Sequence, residues 1–170
     1  MATPAWELID SNTLTSATSS VTFSSIPSTY RDLVLVINGE ADGTIAALAY
    51  RLNGDTSSAY SIVNMIGRAA GTGILSYSAT GTSAGFTQAG IEGSERGMFK
   101  LDFLDYSATD KHKTTLIRSD YYADGQASLT TEAYATRWAN TSAVTSITIP
   151  IAGGGMKAGT TFSLWGLNKL

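Results

Sequence analysis

The apolar residues of this chain fall in short segments separated by turn residues, and this pattern constrains the fold more than any other feature. Phe99, Leu101 and Phe103 alternate with polar residues, as expected when one face of a strand is buried. Asp124-Gly125 separates two longer segments, and this dipeptide favours the tight turn of a β-hairpin. No amphipathic helix longer than about three turns is predicted anywhere along the chain. The pattern therefore predicts an all-β fold.

About eight to ten segments are predicted as strands from their length and composition. The candidates are residues 5–9, 21–23, 32–37, 46–53, 60–66, 99–103, 114–121, 129–138, 144–149 and 161–167. Segment 60–66 could also form a short helix, because short apolar runs fit both periods. The branched aliphatic run 32–37 is predicted to be buried on both faces and to end in a turn at Asn38-Gly39.

Alternation along two of these segments also predicts which side chains face the core. Ile147, Ile149 and Ile151 should share one face of their strand, and Phe162 and Leu164 should share one face of the last strand. The buried face of each strand can therefore be named before its partners are known.

Residues 67–93 are rich in Gly, Ser, Thr and Ala and are the least regular part of the chain. We interpret them as loops around one or two weak strands near Ile74-Leu75 and Phe86. The alternative is a disordered linker between two domains, but apolar residues recur too often for a linker. We therefore predict a single domain over residues 1–170, folded as an antiparallel two-sheet β-sandwich of jelly-roll-like type.

The composition excludes several classes of protein. Of the 170 residues only 15% are charged, and the absence of cysteine excludes disulfides and thiolate metal sites. The net charge is −3 and no run of Lys or Arg occurs, so no nucleic-acid partner is predicted. No segment has the apolar length of a membrane span, and the residues after Met1 do not resemble a secretory signal. We therefore expect no membrane partner either.

The residues that usually carry catalysis are few and scattered. His112 is the only histidine, and it lies in a charged turn where nothing in the sequence orients it. Asp102 and Asp105 are three apart near a strand, so alternation directs them to opposite faces. Glu92 and Glu95 flank a glycine in a predicted loop and are expected to be solvated. The sequence therefore predicts no enzyme, no metal site and no cofactor.

Aromatic side chains are the remaining candidates for a binding surface. Five of them could form a platform that stacks on a sugar ring, namely Tyr106, Tyr121, Tyr122, Tyr134 and Trp138. The alternative is that most of them belong to the core or to cross-strand pairs. Tyr121 and Tyr122 are adjacent on a predicted strand, so one of the two rings should point away from the core.

Two segments are expected to be exposed and are the predicted contact elements. They are the N-terminal segment Met1–Trp6 and the loop Gly67–Gly73. Tyr and Trp are favoured at protein interfaces. Together with the loop arginine, they give the predicted partner-binding residues Trp6, Arg68, Tyr121 and Tyr122.

Five segments that span almost the whole chain carry a recognisable order of strand and turn residues. They are Trp6–Ser11, Ser20–Leu35, Arg51–Asp55 with Tyr60-Ser61, Trp138–Ile149 and Ala158–Gly166. The last of them is similar to the "GSTFSLYGI" endings of a group of virion proteins of tailed bacteriophages. Taken in order, the five segments resemble that group. The resemblance implies a jelly-roll-like structural protein whose pattern includes no catalytic residues.

The resemblance further implies a component of the virion, made in the cytoplasm of the host bacterium. Our first expectation is a capsid decoration (cement) protein that binds the outer surface of the major capsid protein as a homotrimer and stabilises the shell. The alternative is a tail or fibre receptor-binding module that recognises a host surface polysaccharide. The lack of a shaft between Met1 and Leu170 favours the decoration protein. A glycan hydrolase, the third interpretation, would need two carboxylates that converge on one cleft.

Overall fold

The fold is built from strands alone. A computed structural model of the protein describes residues 4–42, 46–68, 74–87, 96–123 and 128–169, and these ranges contain no helix. Accordingly, no helix in the described ranges is long and apolar enough to cross a membrane. The sequence candidates Glu92 and Glu95 and the predicted turn Asp124-Gly125 lie outside the described residues.

Twelve strands occur in the described residues. They are β1 (Trp6–Thr13), β2 (Ser20–Phe23), β3 (Asp32–Glu40), β4 (Ala46–Leu52), β5 (Tyr60–Arg68), β6 (Ile74–Gly81), β7 (Ala84–Gly85), β8 (Arg96–Leu104), β9 (Lys113–Ala123), β10 (Ser128–Trp138), β11 (Ile147–Gly153) and β12 (Thr161–Leu167).

The strands form two antiparallel sheets that pack together. The larger sheet has eight strands in the order β1-β12-β3-β8-β9-β10-β5-β6, and the smaller has four in the order β2-β11-β4-β7. All neighbouring strands in the two sheets run antiparallel. The predicted antiparallel two-sheet β-sandwich is therefore confirmed.

The strand order explains why the sandwich is jelly-roll-like. When β5, β6, β9 and β10 are set aside, two sheets of four strands remain, β1-β12-β3-β8 and β2-β11-β4-β7. The first strand then pairs with the last, and the second with the last but one, as in a jelly roll. The β5-β6 and β9-β10 pairs are two insertions into this scheme, and both extend the larger sheet beyond β8.

The core lies between the two sheets and follows the predicted alternation. The inward side chains that the sequence indicated are all buried: Phe99, Leu101, Phe103, Ile147, Ile149, Ile151, Phe162 and Leu164. Tyr50 packs edge to face against Phe103, and the two ring centroids are 5.3 Å apart. Burial raises the pKa of Tyr50 to about 12, so its hydroxyl stays protonated and hydrogen-bonds to Thr115 and Thr136.

The predicted turn at Asn38-Gly39 is wrong, because β3 extends to Glu40. Both residues pair in register with β8. A Cβ atom on Gly39 would lie only 2.4 Å from the end of the Met156 side chain. The glycine is therefore explained by close packing against the segment between β11 and β12 and not by a turn.

Most of the other predicted segments match the structure. Segment 60–66 lies in a strand and not in a helix, and β6 and β7 are the weak strands expected in the irregular middle of the chain. The strand predicted from residue 144 begins only at Ile147. On the outward side of β3, Val34 is buried but Val36 is half-buried, so burial on both faces is confirmed only in part.

Segments that carry the sequence resemblance contact each other in the folded chain. Asn53 and Gly54 form the turn after β4 with φ angles of 52° and 68°. The Asn53 side-chain amide donates to the carbonyl of Ala143 at 2.8 Å and accepts from the N–H of Thr145 at 2.8 Å. These contacts fasten the turn to the segment before β11, so this part of the pattern has a structural explanation.

Candidate functional site

The four predicted partner-binding residues lie in different environments. Trp6 begins β1 and is 44% exposed. Tyr121 is buried, with its ring stacked on Phe99 at a centroid distance of 5.9 Å. This burial contradicts the prediction that Tyr121 contacts a partner, because the inward positions of β9 belong to the core. Arg68 and Tyr122 are placed as strand residues, but their side chains are outside what the structure describes, so their role stays a prediction.

One face of the eight-stranded sheet points away from the smaller sheet, and we call it the outer face. Except for Tyr77, all the large apolar residues that are exposed in the described ranges lie on it. They are Trp6, Leu8, Val63, Met65, Met98, Leu104 and Leu116. Exposed apolar side chains gathered on one face of a sheet are a feature of protein-interaction sites.

The strand registers arrange part of the outer face as a continuous row. One residue from each strand contributes: Leu8, Trp165, Val34, Asp102, Leu116, Ala135, Val63 and Ser78. The row is apolar except for Ser78 and for Asp102, whose carboxylate is paired with Lys100 at 2.6 Å. We call it the apolar row.

Two shallow depressions follow β10 along the outer face. The first, of about 310 Å³, is lined by residues that include Met65, Arg118 and Ala133. The second, also about 310 Å³, is lined by residues that include Ala135 and Arg137. The small side chains of the β10 alanines leave space between bulkier neighbours, so side chains of a partner could enter the depressions. Within the described residues neither arginine forms an ion pair, which leaves both guanidinium groups available for acidic groups.

The opposite, inner face of β9, β10 and β5 carries buried polar side chains, which we call the polar cluster. Its centre is Glu132, which is 2% exposed and accepts hydrogen bonds from the hydroxyl groups of Tyr121, at 2.9 Å, and Tyr134. Burial and the neighbouring Glu132 charge both raise the pKa of Tyr134, so its hydroxyl remains a proton donor. The two hydroxyls partly replace the water that the carboxylate loses on burial.

Three further members of the polar cluster have unused hydrogen-bonding capacity. Asn64, Ser119 and Thr130 are almost fully buried. Within the described residues, neither polar atom of the Asn64 amide nor the two hydroxyl oxygens completes a hydrogen bond. The amide nevertheless lies near enough to Tyr134 to oppose the rise of its pKa. Buried polar groups of native proteins usually have partners, so these groups mark a place where a polar molecule could bind.

A cleft of about 220 Å³ opens beside the polar cluster, and we call it the tyrosine cleft. It is lined by Ile62, Tyr77, Ala79, Gly85, Thr87 and Tyr134. Tyr77 is 50% exposed, whereas Tyr134 is buried. In the register of β6, β5 and β10 the two tyrosines flank Asn64. The cleft therefore lies between an accessible aromatic ring and a buried one, and their common strand neighbour Asn64 has unsatisfied polar atoms.

The catalytic candidates from the sequence do not share a site. Asp102 pairs with Lys100 on the outer face, whereas Asp105 pairs with Lys111 at 3.0 Å in the turn after β8. His112 is exposed in the same turn. Among the residues placed by the structure, no three His, Cys, Asp or Glu side chains are grouped as metal ligands. The two aspartates thus belong to separate surface ion pairs.

Two buried polar residues, Glu132 and Asn64, were not predicted from the sequence. A signal for Glu132 was present, because it alternates in step with Tyr134 and Trp138 along β10 and therefore occupies an inward position. No comparable signal places Asn64 beside them. Its position depends on the register between β5 and β10, which only the tertiary pairing fixes.

Comparison with known proteins gives only weak likenesses. No family model and no curated protein matches the chain. A protein of unknown function from Shewanella oneidensis MR-1 is 13% identical, with a TM-score of 0.24, over 100% of this chain and 79% of that one. An alginate lyase, Aly36B, solved with an alginate tetrasaccharide, is 8% identical, with a TM-score of 0.27, over 83% of this chain and 70% of that one. Likenesses as weak as these assign neither a family nor an activity.

Proposed function

We propose that this protein is a structural component of a tailed-phage virion, a capsid decoration protein that binds the outer surface of the major capsid protein. The five segments that resemble such virion proteins support the proposal, and the jelly-roll arrangement is the fold that the resemblance implies. Because one fold can serve many functions, docking on a capsid requires a particular surface. That surface is the outer face.

The observation that carries the proposal is the apolar row, to which six of the eight strands contribute an apolar residue. Seven strand spacings of about 4.8 Å make the outer face roughly 34 Å wide. With about nine residues in each strand it is roughly 30 Å long, which gives an area of about 1,000 Å². A stable interface buries about 800 Å² on each partner, so this face is large enough to act as one side of an interface.

The chemistry of the outer face indicates what the docked surface should offer. The depressions beside Ala133 and Ala135 accept apolar side chains, and Arg118 and Arg137 at their margins favour carboxylates. We therefore expect the capsid surface beneath the protein to be apolar at its centre and acidic around it.

Docking on this face would stabilise the shell by mass action. A ligand that binds only the assembled state stabilises it by about 2.7 kcal/mol per site when its concentration is 100 times Kd. We further propose that the protein docks as a homotrimer, because threefold positions of a shell present three equivalent surfaces. Light scattering of the purified protein measures that state directly.

Sedimentation with empty shells of the parent phage tests the proposal. Leu116 lies in the middle of the apolar row and is 45% exposed, so Leu116→Arg should leave the fold intact and weaken shell binding at least tenfold. Thr22→Arg is the matched control, because it adds the same charge to the exposed side of the smaller sheet. We expect the control to bind like the wild type and to raise the melting temperature of the shells as the wild type does.

Two results would overturn the proposal. One is a wild-type protein that fails to sediment with shells. The other is shell binding that Leu116→Arg leaves unchanged. Binding to host cells in place of shells would favour the alternative, a receptor-binding module of a tail or fibre.

A further inference from the structure

We propose that the tyrosine cleft is a binding site for a single neutral sugar ring, stacked on Tyr77 and hydrogen-bonded towards Asn64. This inference is independent of the capsid proposal, because it concerns the opposite side of the eight-stranded sheet. It rests on one juxtaposition: an accessible tyrosine ring, a buried tyrosine hydroxyl and an unsatisfied amide in one cross-strand row.

The aromatic part of the site is Tyr77. Among the described residues it is the one large exposed side chain with apolar surface that lies off the outer face, so the core does not account for its position. A pyranose ring has an apolar face of C–H groups, and such a face packs against the flat ring of an aromatic side chain. Ile62 and Ala79 complete an apolar wall beside it.

The polar part of the site fits hydroxyl groups. A sugar hydroxyl donates and accepts, and the Asn64 amide has both a donor and an acceptor that are unused in the described structure. Thr87 lines the cleft and accepts a hydrogen bond from the N–H of Leu48 at 2.8 Å, so its own hydroxyl hydrogen is free to be donated. A polyhydroxylated ring could satisfy these groups together, which a purely apolar ligand could not.

Size and charge narrow the class of ligand. The volume of about 220 Å³ is below the roughly 300–1,000 Å³ of pockets that hold drug-sized molecules, so it suits one ring and not an enclosed chain. None of the residues that line the cleft is basic, so the lining offers no cationic partner for an anionic ligand. Neutral hexoses should therefore bind better than uronic acids.

The cleft and the outer face can be occupied at the same time. Tyr77 and Ser78 are adjacent on β6, so their side chains leave opposite faces of the sheet. Ser78 belongs to the apolar row, whereas Tyr77 lines the cleft. A protein docked through its outer face would thus present the cleft away from the docking surface.

Saturation-transfer NMR on the purified protein tests this inference. The probes are glucose, galactose, mannose and N-acetylglucosamine, with glucuronate as the anionic comparison. We expect transfer to the C–H protons of at least one neutral hexose with a Kd of the order of 1–10 mM, as for other small single-ring ligands. Glucuronate should give at least fivefold weaker transfer.

Substitutions in the cleft provide the decisive comparison. Tyr77→Ala should weaken hexose binding at least tenfold, whereas Tyr77→Phe, which keeps the ring, should retain it. Ser78→Ala is the matched control on the outer face and should bind like the wild type. Absence of transfer to every neutral hexose, or transfer that Tyr77→Ala does not reduce, would overturn the inference.

The same variants separate this site from capsid docking. Tyr77→Ala should sediment with shells like the wild type, and Leu116→Arg should bind hexose like the wild type. A wild-type protein that binds hexose but not shells would overturn only the capsid proposal. A wild-type protein that binds shells but no hexose would overturn only the sugar site.

Discussion

At the scale of single residues, close packing explains why a glycine occurs in the C-terminal segment that carries the sequence resemblance. Gly166, near the end of β12, lies directly under the ring of Tyr30, and a Cβ atom there would be 2.3 Å from Tyr30 Cγ. Tyr30 precedes β3, and Gly166 lies in the ending that resembles phage virion proteins. The two residues therefore form one packing unit although they are far apart in the sequence.

Gly166→Ala should destabilise the protein, because the added methyl group must displace a buried tyrosine ring. We expect a loss of about 1–3 kcal/mol in the free energy of unfolding, measured by urea denaturation. Gly67→Ala is the control, since a Cβ atom there would meet only the Thr131 carbonyl oxygen, at 3.9 Å. The control should be neutral or slightly stabilising. Equal effects of the two substitutions would contradict this explanation.

Asp55 gives the protein a pH-dependent contact. Its carboxylate accepts from the N–H of Ser57 at 2.8 Å and from Nε1 of Trp138 at 2.6 Å. Hydrogen bonding from the Ser57 side chain lowers the pKa of Asp55 most, and the bonds from Trp138 and from the Ser57 backbone lower it further. The unfolded chain therefore binds the proton more tightly. The stabilisation is complete above the unfolded pKa, near 3.9, and is lost as the pH falls through the folded value.

Asp55→Asn should remove this pH dependence. At pH 7 the variant should be less stable than the wild type, and the difference should shrink as the pH falls from about 5 to 2. Thermal unfolding followed by circular dichroism at a series of pH values measures it. Asp120→Asn is the control variant, because it makes the same change of charge at an exposed position of β9. A difference that stayed constant with pH would exclude the proposed role of Asp55.

At the scale of elements, the turn between β4 and β5 combines backbone conformation with side-chain capping. Asn53 has a positive φ angle of 52°, which asparagine tolerates better than most residues. Its side chain also accepts hydrogen bonds from the backbone N–H groups of Thr145 and Ser146, at 2.8 and 3.2 Å. One residue thus sets the turn and joins it to the approach to β11.

Two substitutions at Asn53 should separate these contributions. Asn53→Gly keeps the positive φ angle and loses the side-chain hydrogen bonds, which we expect to cost about 1 kcal/mol. Asn53→Ala loses both and should cost about 2 kcal/mol, since alanine is strained in the left-handed region. Urea denaturation of both variants gives the comparison. An alanine variant as stable as the glycine variant would show that the φ angle contributes nothing here.

At the scale of the whole molecule, the two insertions share one core with the jelly roll. Tyr134 of β10 and Ile117 of β9 belong to the same buried cluster as Phe23 and Ile149 of the smaller sheet. The extended part of the larger sheet is therefore expected to unfold together with the rest.

Tryptophan fluorescence can test this cooperativity, because one of the three tryptophans lies in a different part of the larger sheet from the other two. Trp138 is buried in β10, within the insertion, whereas Trp6 and Trp165 lie on the neighbouring strands β1 and β12. One variant with Trp6→Phe and Trp165→Phe, and another with Trp138→Phe, should each show one transition at which fluorescence and circular dichroism coincide. A transition that Trp138 reports separately would mean that the insertion unfolds independently.

The sequence by itself determined the secondary structure class and the inward faces of the strands. Alternation has a fixed period of two, so a residue such as Leu101 or Ile149 is assigned to the core without knowledge of its partners. The local sequence pattern gave a wrong prediction at Gly39, because a glycine that close packing requires was taken for the glycine of a turn.

Only the tertiary structure decided which strands are neighbours and in what register. The apolar row exists because eight strands align Leu8, Leu116 and Val63 across one face, and the tyrosine cleft exists because Tyr77 and Tyr134 flank Asn64. Backbone pairing between strands distant in the chain depends on the global packing of both sheets, and no local pattern encodes it. The faces of single strands were therefore predictable, and the surfaces that several strands build together were not.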